Sequence, residues 1–378
     1  MHPFRALIHR REARAALAVL VGLPTLFLFF NLTLAVDPAA NVDRLRLGAV
    51  VLDTGVTTPE GQVSIGPQLV GALQERLGAE VMTYPTADSL RDAVLRREVG
   101  GGLVVPAGAT ARLRTGEGIE LTVVRSDAND PFTNSFTASL ASSLAATLNA
   151  VLPGQLAGTP TEPLVTVAAD TVAISPDYRF ATLPGFLLLP LWIASLAFAV
   201  LLARAGDHAR ETAGAARAGV AEALFATLAA AVAGAVIAVD VALFTWRWDV
   251  NLIGLFALLW LALTAVTWLM VGAVRVFGVA LGAGLGVVAL FLQQPVSGAT
   301  YPPAFAPEVV RWAEPIAPLR YLVEGVRDLL VGGSTLGDMA VALAWFAVAG
   351  LVAVAAGIAR LALRSRSQRA AGAPMPAA

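Results

Sequence analysis

Six apolar segments, each long enough to cross a lipid bilayer, constrain the fold of this chain more than any other feature. A helix needs about 20 apolar residues for this, because the hydrocarbon core is about 30 Å thick. Charged residues make up only 14% of the 378 residues, against roughly 25% in soluble domains. We therefore expect a multi-pass α-helical membrane protein with six transmembrane helices. The predicted spans are 15–36, 182–203, 220–243, 252–273, 276–294 and 339–359.

The distribution of arginine orients these spans. With the N-terminus inside, the cytoplasmic segments carry 12 arginines and only three acidic residues. Arginine and lysine concentrate on the cytoplasmic side of membrane proteins, so both termini are predicted to be cytoplasmic. The first span could instead be a cleaved signal peptide, but its length and the lack of a small-residue cleavage site favour an uncleaved anchor. The cytoplasmic segments are 1–14, 204–219, 274–275 and 360–378.

The largest polar region, residues 37–181, lies between the first two spans. Short apolar runs of strand character alternate there with helical patterns at 65–77 and 87–99. Such alternation is typical of an α/β unit with some parallel pairing. We predict an extracytoplasmic α/β domain, followed at 134–152 by a helix that stands on the membrane as a stalk. The predicted strands are 47–52, 80–84, 101–105 and 119–125.

Several kinds of chemistry are excluded by residues that the chain lacks. Without cysteine there is no disulfide or thiolate metal site, and without lysine there is no phosphate-binding loop of the kind that hydrolyses ATP. The three histidines are dispersed without metal-ligand spacing. The chain is therefore predicted not to be an enzyme, with no catalytic, cofactor or metal site and no nucleic-acid partner.

Two features inside the spans suggest specific roles. Gly278, Gly282 and Gly286 recur at four-residue spacing, which predicts close packing against another helix. Asp240 lies within the third span, where a carboxylate is either a functional polar site or an interfacial partner of Arg247. Glu222 lies at the cytoplasmic edge of the same span, within reach of water.

The segment 295–338 is the most patterned polar stretch. It opens with proline and glycine, which end the fifth helix, and continues with helical patterns at 308–313 and 319–331. The second pattern has one broad apolar face, as in helices that lie on or dip into a membrane surface. We interpret the segment as an outer amphipathic loop, which is either a simple interfacial connection or a lid over a lateral exit path.

The order of these parts resembles the type-2 ABC transporter permeases, and within them the phage-infection-protein (Pip) branch. Asp37-Pro38 and the run from Leu47 to Gly55 are similar to the entry strand of that branch, with Val51 in place of its usual Asn. The 101–106 strand also matches. The outer loop resembles the branch's signature, with Tyr301 in place of a Phe. The matching signature positions are Ser297, Gly298, Pro302, Pro318, Tyr321, Gly325 and Arg327.

The resemblance implies a permease subunit of the bacterial plasma membrane. Such a subunit forms a homodimer, or a heterodimer with a related permease, and exports a hydrophobic or amphipathic molecule with a separate ATP-binding subunit. The segment 204–219 would meet that ATPase, which makes Arg210 and Glu211 candidate coupling residues. Alternatively, these charges only enforce topology. A non-transporting surface receptor or scaffold of envelope or secretion machinery is the competing function.

Overall fold

The computed structural model describes residues 38–59, 61–151, 163–173, 179–245 and 248–371. The predicted N-terminal segment 1–14 and first span 15–36 lie outside these residues. The described chain begins with an α/β region and continues into a helical bundle.

The α/β region is built on a five-stranded sheet in the order β4-β1-β5-β6-β7. β1 is parallel to both β4 and β5, β5 is antiparallel to β6, and β6 is parallel to β7. A separate hairpin, β2–β3, follows β1. The predicted strands are therefore present, and the parallel pairing is confirmed. The strands are β1 Arg46–Val51, β2 Val56–Thr58, β3 Gly61–Val63, β4 Glu80–Thr83, β5 Gly102–Val105, β6 Ile119–Arg125 and β7 Val165–Thr171.

Helices cover both faces of this sheet because successive strand residues point to opposite sides. Val50 and Val104 face α2, whereas Leu47 and Leu103 lie on the other side of the sheet. α2 begins with a capping box between Thr86 and Ser89. The helices are α1 Ile65–Leu77, α2 Ala87–Leu95, α3 Ala109–Arg114 and α4 Pro131–Val151.

The helix predicted as a stalk is instead an integral part of the α/β region. Phe136, Leu140 and Leu144 of α4 pack with Leu47 of β1 and Leu73 of α1. This apolar face would be exposed on a free-standing helix. The apolar face of α4 packs against the sheet instead, because burial of apolar surface stabilises the fold by roughly 25 cal/mol per Å².

Four helices among the described residues are long and apolar enough to cross a membrane. α7 is the central one, since it contacts every other helix of the bundle. The shorter α8 is antiparallel to α7 and is separated from it only by Gly278, whose φ of 90° favours glycine. The bundle helices are α5 Arg179–Ala213, α6 Ala215–Thr245, α7 Leu252–Phe277, α8 Val279–Gln293 and, after the outer loop, Leu336–Ala371, which we number α11.

Two predicted boundaries are corrected by these helices. The predicted loop 204–219 is the helical ends of α5 and α6, which meet at a turn on Gly214 with φ 83°. The predicted fifth span begins three residues later than expected, because α7 extends through Phe277. The remaining α8 has 15 residues, which span about 22 Å and thus less than a bilayer core.

The outer loop folds back onto the bundle. It contains α9 Glu308–Arg311 and α10 Pro318–Arg327, and then one π-helical turn at Asp328–Gly332. Leu319, Val323 and Val326 of α10 are fully buried, and the helix contacts α5, α7 and α11. The apolar face that we expected at a membrane surface is therefore covered by protein.

Candidate functional site

Aromatic side chains join the α/β region to the outer loop. Phe132 of α4 makes an edge contact with Phe305, at 5.0 Å between ring centroids, and a tilted contact with Tyr301 at 5.9 Å. The Phe132 amide also donates to the Thr300 carbonyl at 3.2 Å. Aromatic pairs in such geometries contribute about 0.5–1.5 kcal/mol beyond their buried area. This contact places the start of α4 directly on the loop that follows α8.

A buried ionic contact joins the same two parts. Arg97 follows α2 with a φ of 57°, which is unusual for a residue with a side chain. Its guanidinium binds the carboxylate of Asp328 and donates to the Thr335 hydroxyl at 3.1 Å. Asp328 also accepts from the Thr335 amide and hydroxyl, both at 2.8 Å. The π-helical turn after α10 is thus held by a side chain from the α/β region.

The outer-loop signature residues cluster around the turn that ends α8. Ser297 is fully buried, donates to the Gln294 carbonyl at 2.7 Å and accepts from the Ala299 amide at 3.3 Å. Gly298 adopts a φ of 70°. Arg327 donates to the Ala299 carbonyl at 2.7 Å. The structure therefore brings Ser297 and Gly298, which lie in the turn after α8, together with Arg327 at the end of α10.

The other signature residues position α10. Pro318 is its first residue, where the missing amide hydrogen is harmless. Tyr321 donates its hydroxyl to the Pro315 carbonyl at 2.9 Å. Gly325 is buried, and a Cβ there would lie 2.8 Å from the Leu258 side chain, so its absence lets α10 approach α7. Pro302, also buried, precedes the short turn that carries Phe305.

Arg327 and Asp130 are buried charged groups between the two parts. Arg327 is 2% exposed, and burial lowers the pKa of its guanidinium to about 10. Burial also raises the pKa of Asp130, although hydrogen bonds from Thr133 oppose the shift. Among the described residues, the Nε atom of Arg327 has no hydrogen-bond partner. Unpaired buried donors are rare because each costs about 1–3 kcal/mol.

A mostly apolar cavity of about 400 Å³ lies beside this junction, at the end of the bundle that carries the α/β region. Its walls come from the start of α5, the end of α8 and the outer loop. Gln294, one of the lining residues, has a buried Oε1 atom without a hydrogen-bond partner in the part of the chain that the structure describes. Its lining includes Gly185, Phe186, Leu189, Leu290, Gln294 and Tyr301.

The opposite end of the bundle holds a second buried ion pair. Arg275 of α7 binds Glu222 of α6 through two contacts, Nε–Oε2 at 2.9 Å and Nη2–Oε1 at 2.5 Å. Both side chains are 7% exposed. Arg275 also contacts Asp207 of α5 at 3.3 Å, so it connects three helices. Our expectations of Glu222 in contact with water and of Arg275 in a loop are wrong, because α7 is longer than predicted.

The three glycines of the predicted face have two different roles in the structure. A Cβ on Gly282 would lie 2.6 Å from the Cα of Val274, and one on Gly286 would lie 2.8 Å from the sulfur of Met270. Trp192 of α5 donates its indole N–H to the Gly286 carbonyl at 2.8 Å. Gly278, in contrast, is the turn between α7 and α8, and a Cβ there would meet no described atom within 4 Å.

The family is identified by a comparison over almost the whole chain. The model of the ABC-2 family transporter protein matches residues 14–359. The chain belongs to the ABC-2 transporter family. Members are multi-pass membrane transport subunits rather than catalytic ones, and they work with a separate ATP-binding subunit.

One solved structure is also similar to part of this permease. It is the crystal structure of a domain assigned to an ABC type-2 transporter from Thermotoga maritima MSB8. The similarity covers 34% of this chain and 86% of that one, at 19% identity and a TM-score of 0.27. No curated protein matches the permease.

The remaining predicted site residues are Arg210, Glu211 and Asp240. Arg210 and Glu211 are in the last turns of α5, beyond the apolar part that ends at Asp207. Asp240 is half-buried on α6, and its possible partner Arg247 lies outside the described residues. The roles proposed for these three residues remain predictions.

Sequence reasoning missed the two ionic contacts of this permease. Arg97 is one of several charges after α2, and no pattern distinguishes it. Glu222 and Arg275, however, carried a usable signal, because each lies beside an apolar run where an unpaired charge is unfavourable. That signal predicts pairing between helices without naming the partner.

Proposed function

We propose that this chain is the permease subunit of a type-2 ABC exporter that moves a hydrophobic or amphipathic molecule out of the bacterial cell. The observation that carries this proposal is the apolar cavity between α5, α8 and the outer loop. Its volume of about 400 Å³ lies within the roughly 300–1,000 Å³ of small-molecule sites. Apolar walls with the free amide oxygen of Gln294 suit a molecule that is mostly apolar but has a polar group.

Narrowing the cavity tests this proposal. A Cβ on Gly185 would lie 3.5 Å from the Cβ of Ala299 on the facing wall, so Gly185→Leu fills the space between them. We expect the variant to bind the amphipathic dye Nile red at least fivefold more weakly than the wild type in detergent. Gly284→Leu is the matched control, because a Cβ on Gly284 meets no atom of the described residues within 4 Å. Equal weakening in both variants would contradict a role for the cavity.

The energy for export would come from a separate ATPase bound at the cytoplasmic ends of α5 and α6. This chain has no lysine and therefore no phosphate-binding loop of its own. The end of α5 beyond Asp207 extends past the apolar part of the helix, and its sequence there includes Arg210 and Glu211. A dimer, either of two copies or with a related permease, would present two such surfaces in the plasma membrane.

Exchanging Arg210 and Glu211 for each other tests the coupling surface. The exchange preserves local charge, so topology should be unchanged, whereas a specific contact should lose affinity for the ATPase. Co-purification from the producing cells and the ATPase rate of the complex are the measurements. Wild-type binding and stimulation by the exchanged protein would exclude this pair as a contact. If no ATPase co-purifies even with the wild type, the receptor or scaffold function, as in the Pip branch, becomes the better proposal.

A further inference from the structure

A second, polar cavity separates the α/β region from the outer loop. This outer cleft, as we call it, has a volume of about 770 Å³. It shares its wall with the apolar cavity. Asp130 and Gly298 line the outer cleft, whereas their neighbours Pro131 and Ala299 line the apolar cavity. A polar space and an apolar space thus lie on two sides of the same chain segments.

Most of the acidic groups in the outer cleft are already engaged. Glu314 and Glu324 bind Arg320 at 2.7 and 3.0 Å. Glu80 binds Arg46 at 3.2 Å, and Asp130 accepts from the Thr133 amide and hydroxyl. Arg96 contacts Glu98 at 3.5 Å, and Arg97 binds Asp328. Two further carboxylates, Asp43 and Asp338, are exposed at its surface.

Three arginines that line the same cleft have no carboxylate within 4 Å among the residues that the structure describes. Arg44 donates only to the Phe305 carbonyl at 3.4 Å. Arg327 donates to the Ala299 carbonyl, and its buried Nε has no partner. Arg311 is half-buried, and its Nε is likewise buried without a partner. Arginines and acidic residues are equal in number in the lining of the cleft, seven of each. Among the described residues, however, these three guanidiniums have N–H groups that no carboxylate within 4 Å accepts.

Such donors favour one class of ligand. A guanidinium has five N–H groups in a planar fork that matches carboxylate and phosphate oxygens, often through two parallel bonds. Leaving a buried charged donor without a hydrogen bond is costly. Phosphate offers several acceptor oxygens, which suits donors that line one cleft from different segments, here the turn before β1, α9 and α10.

We propose that the outer cleft binds a phosphate group through Arg44, Arg311 and Arg327, and that this phosphate belongs to an amphipathic substrate whose apolar part occupies the adjacent cavity. The inference rests on the proposed export function and specifies its substrate as a phosphate-bearing amphiphile. The fully buried Arg327 would bind the phosphate from the bundle side, and Arg44 and Arg311 would donate hydrogen bonds to it from the other walls of the cleft.

Binding to the full-length protein in detergent tests this, with native mass spectrometry as the measurement. The probes are dioleoyl phosphatidic acid and dioleoylglycerol, which have the same acyl chains but differ by the phosphate. We expect retention of phosphatidic acid at least tenfold above dioleoylglycerol. Arg311→Gln and Arg44→Gln should each weaken phosphatidic acid binding about tenfold. Arg46→Gln is the matched control, because Arg46 lines the same cleft but is paired with Glu80, and it should change binding less than twofold.

Inorganic phosphate, titrated alone, distinguishes the two sources of this group. Arginine-dependent binding of inorganic phosphate with the same affinity would assign the cleft to a soluble phosphate, and binding of phosphatidic acid alone would assign it to a lipid-like molecule. Equal retention of dioleoylglycerol would overturn the proposal. Unchanged binding in both arginine variants, at wild-type melting temperature, would overturn it as well.

These outcomes are independent of the ATPase. A protein that binds phosphatidic acid through Arg311 but has no ATPase partner would retain this site and lose the export function. A protein that stimulates an ATPase but does not discriminate the phosphate would retain the export function and lose this site.

Discussion

Replacing Glu222 by alanine should be among the most destabilising single changes in the bundle. The carboxylate is 7% exposed and makes two contacts with an equally buried Arg275. Its removal leaves a guanidinium inside the bundle, where Asp207 is the only other carboxylate within 4 Å among the described residues. Removing one partner of a buried ion pair typically costs about 3–5 kcal/mol, because the remaining charge is desolvated without compensation. We expect a loss of this size.

Two further variants separate the effect of burial from the effect of charge. Asp207→Asn removes a contact whose carboxylate is 67% exposed, so it should cost less than about 1 kcal/mol. The double variant Glu222→Leu with Arg275→Met replaces the whole pair by apolar side chains. It should recover most of the stability lost in the single variant, since apolar replacement of a buried pair is often neutral or stabilising.

Denaturant titration in detergent measures these differences in unfolding free energy, with tryptophan fluorescence as the signal of unfolding. The unfolding free energies of the wild type and the three variants are compared under one condition. A loss below about 1 kcal/mol for Glu222→Ala would refute the reasoning, because the pair would then be solvated in the folded protein. Equal losses for Glu222→Ala and Asp207→Asn would refute it too.

Three other predictions follow from particular contacts. Gly282→Leu should lower the unfolding free energy by about 1–3 kcal/mol through overpacking against α7, whereas Gly284→Leu, which points into open space, should not; equal stability of both variants would contradict close packing. Phe132→Ala should cost about 2 kcal/mol and expose the α/β region to limited proteolysis at lower denaturant concentration; unchanged proteolysis would exclude the aromatic contact as a stabilising one. Cysteines introduced at Ser142 and Ser365 should react with an impermeant reagent in intact cells only at Ser142, and the reverse pattern would contradict the predicted topology.

The α/β region illustrates how much local sequence can predict. The periodicity of 65–77 and 119–125 matched a helix and a strand at the same bounds, because the apolar residues of each repeat at one spacing. The hairpin β2–β3 and strand β7 were missed. β2 and β3 have three residues each, too few to show alternation, and β7 is largely polar or small along its length.

The candidate sites were predicted less completely. The outer-loop residues were recognised as a group through a family resemblance, and Arg327 was among them. Nothing in the local pattern could predict that Arg327 would be buried beside Asp130, or that Arg44 would line the same cleft from 283 residues earlier in the chain. These residues meet only because the α/β region packs on the outer loop.

What the sequence alone determined is the membrane character of the chain, the α/β nature of its polar region and the lack of a nucleotide-binding loop. Each follows from composition or from periodicity within a short window, where apolar length and residue type act locally. Only the tertiary structure decided which charges are paired, that α4 packs on the sheet instead of standing free, and that α10 is covered by α5, α7 and α11. The physical reason is that burial and ion pairing are set by surfaces from distant parts of the chain. Glu222 and Arg275, 53 residues apart, form a pair because three helices exclude water around them.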